Sequence, residues 1–293
     1  MNDFDSFLEN VEQDLGSLTE INKPTYYFEE YQQVLFSDSS IVNRKLLYLV
    51  GSKAVTQPKS IAFNKSELLI DLINLGMEFE KKYGQNDEFA YANEIINFCK
   101  KYGHPFESEY FRKNAYKDKN GEFQNIHNYI DLSGRKPPTG YSAFEVREFR
   151  RHVFMLYDTF QLWYGLFFDD LRRVIKYSHD HSFTIDASNI DEKIRTLKEL
   201  LPFKLLKLSV FLKYNEKNDS YYIEPHAGNI FEVAKFQFAM LVLGKSEKGV
   251  KFCTTCGNPF EFTHGNTKNC PKCVNEYQKN LMRKRRAEKK GGR

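Results

Sequence analysis

Apolar residues along the chain recur mostly at helical spacing. Phe4, Phe7, Leu8, Val11 and Leu15 form a first stripe, closed by Gly16. Through about residue 59 the pattern is open, and residues 41–50 read equally as helix or strand. Asn64-x-x-Glu67 has the form of a capping box. Behind it, Leu68, Leu72, Leu75 and Phe79 predict a helix ending near Gly84. Asp87 is placed to cap the next helix, which carries Phe89, Ala92, Ile96 and Cys99 on one face and stops at Gly103. That spacing makes Cys99 a core residue rather than a reactive thiol.

Residues 107–131 are polar with scattered aromatics and predict no element. The breaker-rich stretch from Ser133 to Gly140 is the best linker candidate. Ser142-x-x-Glu145 has the form of a second capping box and opens the longest helical pattern: Phe149, Val153, Leu156, Phe160, Trp163, Phe167 and Val174, with a bend expected at Gly165. A short helix is expected over 188–200, stopped by Pro202. The period then changes to two, and residues 208–214 and 220–224 read as a β-hairpin. Phe231, Ala234, Phe238 and Leu241 form one face of a following helix over 229–243, stopped by Gly244. The predicted fold is mainly α. It is a multi-helix, aromatic-rich body with a small β-hairpin, followed by a C-terminal four-cysteine zinc ribbon and a basic helical tail. The expected divisions are an N-terminal helical region (1–135), a central helical domain with the hairpin (140–245), and the ribbon with its tail (246–293).

Composition sharpens this picture at one end. The chain has 26 Phe and 18 Tyr among 293 residues, enough to bury a sizeable core and argue against wholesale disorder. The net charge of +4 is uneven, because thirteen Lys/Arg stand against four Glu from Lys245 onward, leaving the body acidic. A polyanion, if bound, is therefore met by the C-terminus. The acidic N-terminus lacks the basic and apolar regions of a secretory signal. No apolar stretch is long and uninterrupted enough for a bilayer span. The expectation is a cytoplasmic protein without membrane contact.

Four of the five cysteines form two Cys-x-x-Cys pairs, Cys253/Cys256 and Cys270/Cys273, separated by thirteen residues. This usage fits metal-held thiolates in a reducing compartment better than a disulfide framework. Four thiolates predict one structural Zn2+, with no open position for catalysis and an iron–sulfur cluster as the lesser option. Phe252, Phe260 and Phe262 are expected to shelter the ion, and His264 to lie on the surface. So short a segment cannot bury enough to fold alone, so metal binding should supply most of its folding free energy. Residues 279–293 then carry eight Lys/Arg and one acid. Lys279, Arg283, Lys284, Arg285, Arg286, Lys289 and Lys290 are the candidate phosphate contacts, with Tyr277 and Leu281 expected on the helix's inner side.

Taken together, Cys253-x-x-Cys256-Gly257-x-x-Phe260, Cys270-x-x-Cys273-x-Asn275 and Arg283-x-Arg285-Arg286 resemble the C-terminal zinc ribbons of bacterial CGNR-type proteins. That resemblance covers roughly residues 205–290. It implies a DNA-binding regulator in which a hairpin and helix precede the ribbon. The family's Cys-Gly-Asn-Arg reads Cys273-Val274-Asn275-Glu276 here, so an acid stands where the family has arginine.

Catalytic chemistry has one weaker candidate. Arg147-x4-His152 and Arg173-x5-His179 resemble the Arg-x(4–6)-His motif of HEPN ribonucleases, which implies an RNA-cleaving toxin or defence effector as an alternative function. A protein-interaction adaptor is the third reading. The leading one is a non-enzymatic nucleic-acid-binding regulator, with DNA as its expected partner and a body that senses a ligand, forms a homodimer or meets another protein.

Overall fold

The computed structural model describes residues 22–25, 28–38, 44–54, 59–63, 65–82, 88–106, 143–178, 191–192, 194–198, 209–215, 220–243, 248–262 and 264–291. The expected N-terminal helix, the linker at 133–140, Asn64, Asp87 and His179 lie outside them. The fold is mostly helical with small antiparallel sheets. Its strands are β1 (Asn22–Thr25), β2 (Phe28–Asp38), β3 (Arg44–Ala54), β4 (Lys59–Ala62), β5 (Ala143–Glu145), β6 (Ser209–Asn215), β7 (Ser220–His226), β8 (Gly249–Phe252) and β9 (Pro259–Phe262). Its helices are α1 (Glu67–Lys81), α2 (Phe89–Tyr102), α3 (Val146–Phe167), α4 (Leu171–Ser178), α5 (Ile230–Val242) and α6 (Pro271–Gly291). Among the described residues no helix is long and apolar enough to cross a membrane.

The open pattern before residue 59 resolves as strand. β3 lies between β2 and β5. It buries Leu46 and Leu47, then Leu49 and Val50, so both of its faces are covered. A strand buried on both sides reads as a continuous apolar run, which periodicity alone cannot tell from helix. β5 also corrects an expectation. Residues 143–145 pair with β3 in the register Leu49↔Phe144, and α3 begins only at Val146 with Glu145 extended and making no side-chain cap. Burial of Phe144 against the sheet outweighs the local capping pattern.

α3 is the central helix, burying Phe149, Val153, Leu156, Phe160 and Trp163. It runs through Gly165 to Phe167 without a break in the helix. The chain then turns through Asp169, whose φ is 54°, and folds back as α4, which carries Val174 into the core. α1 crosses α3 closely because Gly76 faces Tyr157. A Cβ at Gly76 would come within 2.6 Å of Tyr157 Cβ. One hydrophobic core takes residues from both sides of the expected linker, from Leu47 and Leu69 through Phe160 to Phe238 and Val250.

The start of α1 is capped from a distance. The side chain of Ser66 at its N-cap makes no capping hydrogen bond. Instead Gln237 of α5, itself buried, accepts from the Leu69 backbone N–H at 3.0 Å and donates to the Ala62 carbonyl at 2.7 Å. One amide thereby satisfies a first-turn donor of α1 and a backbone acceptor at the end of β4. α5 has a local cap: Asn229 accepts from Glu232 N–H at 3.0 Å, and the Glu232 carboxylate accepts in turn from Gly228 N–H. The hairpin of β6 and β7 has the register Leu212↔Ile223.

Candidate metal centre

β8 leads into Cys253, and β9 returns antiparallel to it with Phe252 opposite Pro259. The knuckle between them turns at Gly257, whose φ of 73° lies in the left-handed region. Gly257 N–H donates to the Cys253 carbonyl at 2.9 Å and Cys253 N–H to that of Asn258 at 2.9 Å. The second pair sits at the mouth of α6. Cys270 directly precedes Pro271 at the first helical position, where a missing N–H costs nothing, and Cys273 lies in the first turn. The helix dipole favours negative charge there.

The sulfur atoms of Cys253, Cys256, Cys270 and Cys273 all lie within 4.8 Å of one another, close enough to hold one metal ion. Those of Cys256 and Cys270 are 3.8 Å apart. Cys270 N–H donates to the Cys253 sulfur at 3.3 Å. Burial pushes the Cys253 thiol up, but backbone N–H groups of Cys270, Cys256 and Thr255 outweigh it and bring the pKa down to about 6. Cys273 moves the other way, to about 12, through desolvation and the crowding of neighbouring thiols. Four sulfurs this close cannot all ionise without a cation between them. Nothing in the sequence pattern marks Asn269, yet its Oδ1 accepts from the hydroxyls of both Thr254 and Thr255 and ties the first knuckle to the second.

Phe260 is buried beside Cys253 and Cys270, with Phe262 partly buried against them. Phe252 is not part of this shell. It packs against the body, edge-on to Tyr164 at 4.7 Å, with the Arg173 guanidinium 4.2 Å from its ring centre. Strand parity is the reason: Val250 and Phe252 share one face of β8, and Val250 enters the main core. His264 is exposed, as expected.

α6 runs 21 residues, from Pro271 between the second pair of cysteines to Gly291. Lys279, Arg283, Lys284, Arg285 and Arg286 are all exposed on it; its backbone continues through Lys289 and Lys290. At about 100° per residue, Lys272, Lys279, Arg283 and Arg286 fall on one face, with Glu276 among them. Tyr277 and Leu281 do share the opposite face, but it is not an inner one. They are 69% and 36% exposed, because no described part of the body packs there.

The ribonuclease-like residues are placed separately. Arg147 is exposed on α3. His152 lies about 140° further round the helix and stacks on Phe231 at 4.9 Å. Burial, then the charge of Arg151, pushes its pKa down. Arg173 is engaged by Asp170, Gln161 and the rings of Tyr164 and Phe252. Comparison of the chain with protein-family models, with curated proteins and with solved structures finds no match.

Proposed function

We propose that this chain is a zinc-ribbon nucleic-acid-binding protein, with DNA as its partner and a regulatory role for the complex. Zinc suits the donor set. With Zn–S bonds of about 2.3 Å, a tetrahedron has sulfur–sulfur edges of about 3.8 Å, which is the Cys256–Cys270 separation. Four thiolates leave no position for water, so the ion is structural. Its work is to close two knuckles on each other and to fix the start of α6.

The observation that carries the reading is that helix. Beyond the last metal ligand its described side chains, Val274 to Arg286, are all exposed, with Lys272, Lys279, Arg283 and Arg286 on one stripe. Cations so arranged meet phosphates along a backbone by releasing counterions and carry little sequence information. Arginine adds the capacity to bond guanine edges bidentately. Glu276 lies within the stripe and weakens its first turns as a phosphate surface.

The test is binding of a labelled DNA duplex by the full zinc-loaded chain across a salt series. If about five cations neutralise phosphates, log affinity falls against log salt with a slope near −4.5. A flat response, or equal affinity after deletion of 279–293, would overturn the proposal. Elemental analysis should give one zinc per chain.

A further inference from the structure

Where the cysteine segment meets the body there is a cleft of about 320 Å³, at the small end of the range of ligand pockets, about 300–1,000 Å³. Gln161 of α3 lines one side and Gly257 of the first knuckle the other, with α4 supplying Arg172, Arg173 and Lys176. Gln161 is only 3% exposed. Its Oε1 accepts from Arg173 Nη1 at 2.7 Å, which fixes the orientation of the carboxamide, since an amide nitrogen cannot face a guanidinium. The Nε2 protons are thereby turned away from Arg173. They have no hydrogen-bond partner among the described residues. Gln161 lines the cleft, so this oriented amide is a hydrogen-bond donor that the described protein groups leave unused.

The charges around it specify which kind of acceptor it suits. Asp170 is the acid of the lining, and Arg173 occupies both its oxygens, through the backbone N–H at 3.2 Å and Nε at 3.3 Å. Lys176 pairs with Glu80 at 2.7 Å yet keeps 60% of its side chain exposed. Arg172 is exposed beside it. A fixed neutral donor at the base and cations at the rim suit a phosphate group, whose oxygens only accept.

We infer that this cleft takes one phosphate of the nucleic-acid strand held by α6, so that α4 is a second contact surface for the same partner. The inference rests on the function proposed above. The strand is favoured as the source because the cleft borders Gly257, part of the metal module from which α6 departs.

The experiment uses the zinc-loaded full chain and a labelled duplex, with affinity measured across salt. Arg172→Ala removes an exposed cation. It should weaken binding roughly threefold to tenfold and make the log–log salt slope shallower by about 0.9. Gln161→Glu keeps an acceptor for Arg173 but removes the donor and adds a negative charge, and should weaken binding at least as much. Deletion of 279–293 separates the two ideas. If the deletion weakens binding while both variants bind like the parent, the cleft inference is wrong and the function stands. If the deletion too changes nothing, the function itself fails. Inorganic phosphate, titrated alone, tests the source. Saturable binding of the free ion that is lost in Gln161→Glu, with duplex affinity unchanged, overturns the strand as occupant. Should Gln161→Glu lower the melting temperature, the exposed Arg172→Ala decides by itself.

Discussion

Around Phe149 and Phe160 the chain is packed ring on ring. Phe149 lies 5.3 Å from Phe231, and Phe160 5.3 Å from Phe238 and 5.4 Å from Trp163. Around Cys253 the buried cluster is Cys253, Phe260 and Cys270. The body therefore has an apolar interior of its own, while the cysteine module has little more than its sulfurs. The body coheres by solvent exclusion, and the module offers four sulfurs close enough to hold a metal ion that, on the proposed reading, supplies the cohesion its small interior lacks. Between them, Phe252 belongs to the body by packing and to the module by sequence. It directly precedes Cys253, yet its ring packs against Tyr164 and Arg173 of the body.

The largest effect should follow from removing the metal. Structural zinc supplies on the order of 10 kcal/mol to small metal-dependent folds. Chelation, or Cys270→Ser, should then unfold residues beyond about Cys253 while leaving the body's melting transition within a few degrees of the parent. Hydrogen exchange resolves the two regions: rapid exchange from Cys253 into α6, retained protection in α1, α3 and α5. Protection that survives metal removal in the module would mean that the sulfurs do not hold it together.

A smaller effect tests the body. Its cohesion is mostly apolar, but the Gln237 bridge is a polar exception. Gln237→Leu leaves the Leu69 N–H buried without this partner and removes the donor to the half-buried Ala62 carbonyl, at a cost of roughly 1–3 kcal/mol for the buried group. Urea unfolding should show this loss with zinc content unchanged. A variant within about 0.5 kcal/mol of the parent would show that the bridge is dispensable, as most surface positions are.

These regions also differ in how far the sequence discloses them. The four-cysteine cluster is legible because two short spacings pair the sulfurs locally, and nothing distant need be known. α3 and α5 are legible from their apolar spacing. β3 is not, since a strand covered on both faces loses the alternation that would reveal it. Nor is the cap of α1, whose donor and acceptor partner, Gln237, is 168 residues from Leu69. Tyr277 and Leu281 show a third kind of gap. Periodicity places them together on one side of α6, but cannot say whether anything covers that side. Proximity in sequence places Phe252 with the sulfurs, and strand parity turns it to the body.

The smallest expected effect concerns pH, and it acts on the body alone. Glu80 of α1 accepts from Tyr157 of α3 at 2.7 Å and from Tyr177 of α4 at 3.1 Å, and pairs with Lys176 at 2.7 Å. Burial pushes its carboxyl up, but the bonds from Lys176, Tyr157 and Tyr177 outweigh this and hold it below its ordinary 4.5. The charged form is thus favoured in the folded chain. Its stabilising contribution is complete above pH 4.5 and is lost as pH falls through the lower folded value. Partial exposure to solvent keeps the effect small. Comparison with Glu80→Gln isolates it. The stability difference between parent and variant should be constant from pH 7 to 5 and shrink below 4.5, with α4 loosening from α1 before the sheet does. A difference that persists unchanged to pH 2.5 would show that the three helices are joined here by shape rather than by charge.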